Sequence, residues 1–148
     1  MHFLCRKCST EDLQKSVIYV GLADLMLELL RFYLFQWATE SQCETSLTWL
    51  AISVTLTLVA QILTDLILVI GASKERSTCV LAYLILIPTL FVVTFTLAGV
   101  IIARYFQCLN FYIYFGIPLH IATPAFWFLA YTYYKELKER DVFGTSPA

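Results

Sequence analysis

The chain has 148 residues, of which 59% are hydrophobic and 14% charged, with a formal net charge of -1. That composition lies outside the range of soluble globular domains. The near-neutral charge argues neither for a nucleic-acid partner nor for a polybasic membrane-surface segment. A helix crosses a roughly 30 Å hydrocarbon core with about 20 mainly apolar residues. Stretches of that length run from Val17 to Trp37, Leu47 to Gly71, Cys79 to Arg104 and Leu109 to Tyr134. The expected fold is therefore an all-α membrane protein forming a single domain over residues 1–148, a transmembrane four-helix bundle joined by short connections.

The N-terminal tail carries Cys5 and Cys8 in a C-x-x-C spacing, with His2 nearby. Zinc normally takes four ligands, and redox use of this spacing needs a folded thioredoxin-like context that a short tail does not supply. Reversible acylation beside the membrane is the chemistry that suits these cysteines and Cys79; no role at all is the plain alternative. The first apolar stretch is too long for a signal-peptide core. It contains Asp24, Glu28 and Arg31 and is followed by no small-residue cleavage pattern, so it reads as a retained anchor.

At about 100° per residue, Asp24, Glu28 and Arg31 fall within an arc of roughly 60°. A charge at mid-membrane costs about 2.5 to 3.5 kcal/mol on insertion scales, so this face should point at other helices or at water. In the second stretch Thr57, Gln61, Thr64 and Asp65 also share one side. Counting inward at about 1.5 Å per residue places Asp24 level with Asp65, Glu28 with Gln61, and Arg31 with Thr57. Two readings follow. Paired carboxyls in low dielectric do not both ionise readily, which would make a proton-binding site. Alternatively, Arg31 neutralises Glu28 while Asp65 hydrogen-bonds a hydroxyl and fixes the register of the helices.

In the third stretch Gly99 and Ala103 have the small-xxx-small spacing that permits close helix approach. The fourth contains His120 between Pro118 and Pro124, where lost backbone donors should kink the helix and free carbonyls. One histidine makes no metal site, and neither a metal nor another cofactor is expected. His120 either handles a proton or bonds a neighbouring helix.

Eight basic residues lie in the tails and the middle connection: Arg6, Lys7, Lys15, Lys74, Arg76, Lys135, Lys138 and Arg140. Residues 38–46 contain none. Both termini and the middle connection are accordingly expected in the cytosol. Cys43 and Cys108 then fall in or beside the two outer connections, where a disulfide between them or two free thiols are the alternatives.

The exposed segments contain no G-x-S-x-G, H-E-x-x-H, P-loop or dinucleotide fingerprint. The expectation is a protein that is not an enzyme. Its opening, Cys5-Arg6-Lys7-Cys8-Ser9 leading into Val17-Ile18-Tyr19-Val20-Gly21-Leu22, resembles a known family. So does the ending, Tyr133-Tyr134-Lys135-Glu136-Leu137-Lys138-Glu139. With four closely spaced apolar stretches, they are similar to the insect four-span family that includes the pasiflora and fire exit proteins of septate junctions. The arrangement is more distantly similar to the lysosomal-associated four-span proteins, but the P-P-x-Y motifs of those relatives are missing.

The resemblance implies a non-enzymatic scaffold or accessory role in septate-junction assembly and the paracellular barrier. The implied partners are the lipid bilayer and other membrane proteins, junction components among them, bound laterally or as an oligomer. The plasma membrane or a cell junction is the expected location, with the endosome or lysosome as alternative. A small proton- or ion-linked transporter or channel component, built on Asp24, Glu28, Asp65 and His120, is the competing reading.

Overall fold

A computed structural model of the protein describes residues 2–43 and 48–143, with the side chains of residues 2–9 and 42 outside that description. The tail cysteines Cys5 and Cys8, candidates for acylation, have their side chains among the latter. The described residues form an all-helical fold with no strand. Helix α1 spans His2–Gln42, α2 Thr48–Ser73, α3 Ser77–Tyr105, α4 Asn110–Phe115 and α5 Thr123–Phe143. A 3-10 helix, Ile117–Ala122, separates α4 from α5. Among the described residues, three helical segments are long and apolar enough to cross a membrane: Thr48–Ser73, Ser77–Tyr105 and Asn110–Phe143.

The elements depart from the sequence expectation in two places. Helix α1 begins well before Val17, because the preceding polar segment contains no Gly or Pro to stop it. Its added turns are held by packing of Leu13 and by a 2.7 Å hydrogen bond that Gln14 Nε2 donates to the Ala72 carbonyl. The fourth apolar stretch is not the single helix 109–134 but two helices around a 3-10 turn. Pro118 and Pro124 cannot donate backbone hydrogen bonds, and between them the chain tightens to i→i+3 pairing. Beyond the break α5 continues to Phe143, past the expected end at Tyr134.

Helix α1 packs against α2 and α5, and α3 packs against the same two. From Val17 onward the buried positions of α1, Val17, Gly21, Asp24, Glu28, Arg31, Phe35 and Ala38, alternate in steps of three and four, so one narrow stripe faces its neighbours. Two apolar clusters result. One gathers Val17, Leu68, Ala72, Val80, Tyr83, Leu84, Ile87, Ala130, Tyr133 and Leu137. The other joins Phe35, Ala38, Leu50, Val54, Leu58, Ile101, Leu109 and Tyr112. The polar positions of the α1 stripe lie between them.

The connections are tightly specified. Helix α2 ends in a Schellman turn, in which Arg76 N donates to Gly71 O at 2.8 Å and Glu75 N to Ala72 O at 3.3 Å. Glu75 takes the left-handed conformation there, with φ 51°, and accepts an exposed 2.7 Å ion pair from Arg140. Gly71 is required by close approach, because a Cβ at that position would lie 2.6 Å from the Cβ of half-buried Cys79. Gly99 and Ala103 do not serve the close packing that their spacing suggested. Both are exposed, and a Cβ on Gly99 would meet nothing within 4 Å.

At the opposite end Cys43 and Cys108 form a disulfide with a Cα separation of 5.1 Å, closing a sequence separation of 65. Closing a loop of that length is worth about 4 kcal/mol in lost chain entropy of the unfolded state. We expect non-reducing peptide mapping of native protein to recover the linked Cys43 and Cys108 peptides. Cys43→Ser should lower thermal stability by an amount on the order of that figure. Alkylation of both thiols in unreduced protein would contradict this pairing.

Candidate functional site

Between the two apolar clusters lies a layer of buried polar side chains drawn from most of the helices. Asp24, Glu28 and Arg31 come from α1, Gln61, Thr64 and Asp65 from α2, His120 from the 3-10 turn and Thr123 from the start of α5. Arg31 is the organising group, with 0% of its side chain exposed. Its Nη2 donates to Glu28 Oε1, one helical turn earlier, and lies 3.7 Å from Asp24 Oδ1. Its Nη1 donates to His120 Nδ1. A guanidinium has no acceptor, so Nδ1 must supply a lone pair; the imidazole is then neutral, with its proton on Nε2. One cation therefore ties α1 internally and binds it to the broken segment.

The acids outnumber it. Carboxylate oxygens of Asp24, Glu28 and Asp65 lie within 4.8 Å of one another. A proton or cation between Asp24 and Asp65 would ease their mutual repulsion. Without one, neither oxygen of Asp65 has a hydrogen-bond partner in the protein, nor do Asp24 Oδ1 and Glu28 Oε2. Three carboxylates set against one guanidinium leave an excess of two negative charges when all are ionised. An excess of that size is untenable in an apolar core unless cations or protons offset it.

Asp24 and Asp65 lie together, as their equal depth suggested, and Arg31 pairs with Glu28, as the second reading expected. Gln61 Nε2 donates 3.2 Å to Thr94 Oγ1 on α3, and its own Oε1 is unpartnered. The Thr57 hydroxyl returns to the Ser53 carbonyl at 2.8 Å rather than facing Arg31, and Thr64 bonds back to Ala60 O at 2.7 Å. No hydroxyl satisfies Asp65. Depth along a span does not determine which of several neighbours lies alongside.

Two participants escaped sequence reading. The Tyr83 side chain on α3 is wholly buried, and its hydroxyl lacks a hydrogen-bond partner. The Thr123 hydroxyl, also buried, is likewise unpartnered. Counting inward along α3 from the middle connection would have placed Tyr83 near the depth of Asp65. Beside the layer, a cavity of about 20 Å³ touches Gln61, Thr94, Tyr112 and His120 and has room for a single water. None of the three acids lines it.

The chain matches no family model, no curated protein and no solved structure.

Removing the guanidinium strands three buried acids, a loss of about 3 to 5 kcal/mol for a broken buried pair. Arg31→Met should therefore sharply reduce thermal stability in detergent. Adding Asp24→Asn and Glu28→Gln to the same chain should restore much of the loss. Wild-type stability in the single variant would show that Arg31 does not organise the layer.

Proposed function

We propose that the chain is a four-span membrane protein with both termini in the cytosol, acting without catalysis as a scaffold or accessory subunit that binds other membrane proteins laterally. The fourth span in this reading is α1. Its charges turn inward, while Tyr19, Met26, Leu29, Tyr33 and Trp37 form an exposed outer face suited to lipid or to a neighbouring helix.

The observation that carries the proposal is the partition of the surface. The mid-span charged side chains Asp24, Glu28, Arg31 and Asp65 are drawn into one interior layer, outward hydroxyls such as Thr89 and Thr96 bond back to their own helix, and the outward faces of α1, α2, α3 and α5 present large apolar residues such as Met26, Leu56, Val92 and Phe128. The extensive surface that remains for recognition is thus the helix exterior. Among the described residues, the connections are too short to reach across a gap between cells. The resemblance to the septate-junction four-span proteins supports placing this lateral role at the plasma membrane or a cell junction, in paracellular barrier formation. An endosomal or lysosomal site is the alternative.

A proton- or ion-linked transporter component is favoured by one observation, the hydrogen-bond-deficient Asp65 beside Asp24. The cavity next to His120 is too small to make a path across the fold.

Purification of tagged full-length protein in mild detergent should co-isolate a reproducible set of membrane proteins. After reconstitution alone in liposomes, it should conduct neither protons nor ions. A flux that Asp24→Asn or Asp65→Asn abolishes, with folding unchanged, would replace the scaffold by the transporter.

A further inference from the structure

We propose that the outward face of α5, where the helix leaves the bilayer beside the middle connection, binds the headgroup of one anionic phospholipid through Lys135 and Lys138. This site requires only that α5 crosses the bilayer, whatever proteins the chain binds.

Helical geometry sets the face. Tyr131, Lys135, Lys138 and Val142 follow one another in steps of four, three and four, so they share one side of α5. The buried residues Ala130, Tyr133 and Leu137 occupy the opposite side. All four outward residues are exposed, and with Tyr134 they line an open groove of about 390 Å³, a volume in the range of small-molecule sites.

The charge in this groove is unbalanced. Neither lysine forms an ion pair or hydrogen bond among the described residues. Arg140, on the far side of the helix, is taken by Glu75. Glu139 also borders the groove and is engaged in an interaction of its own. The net charge of -1 over the whole chain thus conceals two neighbouring ammonium groups without counterions. Near a membrane surface each such group is worth about fivefold in affinity for anionic lipid.

The walls of the groove are held in place. Pro88 has no N–H, so the Leu84 carbonyl on α3 loses its helical donor. Trp127 Nε1 donates to that carbonyl at 2.9 Å. The Trp127 ring in turn lies parallel to Tyr131, with an interplanar angle of 6° and centroids 5.6 Å apart. Beyond the lysines, burial of Leu137 and the Arg140–Glu75 pair fasten α5 to the α2–α3 reversal. The two lysines therefore project from a helix fixed along its length, and binding need order little besides their side chains.

Depth selects a lipid over a free anion. Tyrosine rings favour the headgroup level of a bilayer, and at about 1.5 Å per residue Lys135 and Lys138 stand roughly 6 and 10 Å beyond Tyr131. Their flexible stems reach back along the helix toward the phosphates.

Full-length protein in detergent is titrated with phosphatidylserine, phosphatidylcholine or inorganic phosphate, and the bound molecules are counted by native mass spectrometry. One phosphatidylserine per chain should bind in preference to phosphatidylcholine, and excess inorganic phosphate should not displace it. Lys135→Gln combined with Lys138→Gln should weaken that binding about 25-fold. Lys15→Gln combined with Lys74→Gln removes the same charge from the same end of the fold and should leave it unchanged. All four lysines are exposed, so neither double variant disturbs the core. Equal affinity for the two lipids would overturn the proposal. So would an equal loss in both double variants, which would show a diffuse attraction instead of a site. Displacement by inorganic phosphate would assign the groove to a free anion. None of these outcomes depends on which membrane proteins co-purify, so the lipid site and the scaffold reading fail separately.

Discussion

A guanidinium sealed away from water imposes the organisation of this protein. Arg31 cannot shed its charge, so every one of its donors that is to be satisfied needs an acceptor inside the fold. Glu28 supplies one from the preceding turn of the same helix, which costs no long-range ordering. The other comes from His120, on a segment far along the chain. That segment is bounded by prolines, and its 3-10 turn lets a histidine face the core where a regular helix would continue. The break in the fourth apolar stretch and the buried charge of the first are thus two parts of one arrangement.

The layer around Arg31 divides the apolar core in two, and each half is closed by a different device. Toward the middle connection, the Schellman turn at Glu75 sets the α2–α3 reversal, and two side chains reach the same carbonyl. Gln14 and Tyr133 both donate to Ala72 O, so α1 and α5 are fastened to the end of α2. At the other end the Cys43–Cys108 disulfide joins the region after α1 to the entry of α4. There Phe35 meets the Tyr112 ring edge-on at 5.2 Å, and that ring fills the space that any side chain at Gly116 would need. With both ends held, the middle layer carries an excess of acid that a freely rearranging core would relax.

Much of this could be read in the sequence, and the failures share a cause. Helical periodicity placed Asp24, Glu28 and Arg31 on one face, and counting depth brought Asp65 level with Asp24; both follow from distances along a single helix. The bond from Gln61 to Thr94 on α3 depends instead on which helix lies alongside, and that is set by packing. Tyr83 was hidden for a related reason, since an aromatic residue in an apolar stretch carries no polar signal until its hydroxyl is seen buried without a partner. The proline pair announced a break, yet the 3-10 turn and its inward histidine required tertiary contacts. Gly99 and Ala103 illustrate the opposite error: a spacing that allows close packing does not bring a neighbour to it.

The account rests on α1 lying within the bilayer with its charged stripe turned inward, although its three charges set it apart from the more apolar spans. Nitroxide labels at Leu22, Met26 and Tyr33, all on its exposed face, report this directly in liposomes through their relaxation by oxygen and by an aqueous nickel complex. The account predicts high oxygen accessibility and low nickel accessibility at all three positions. High nickel accessibility throughout would place α1 in water and contradict it.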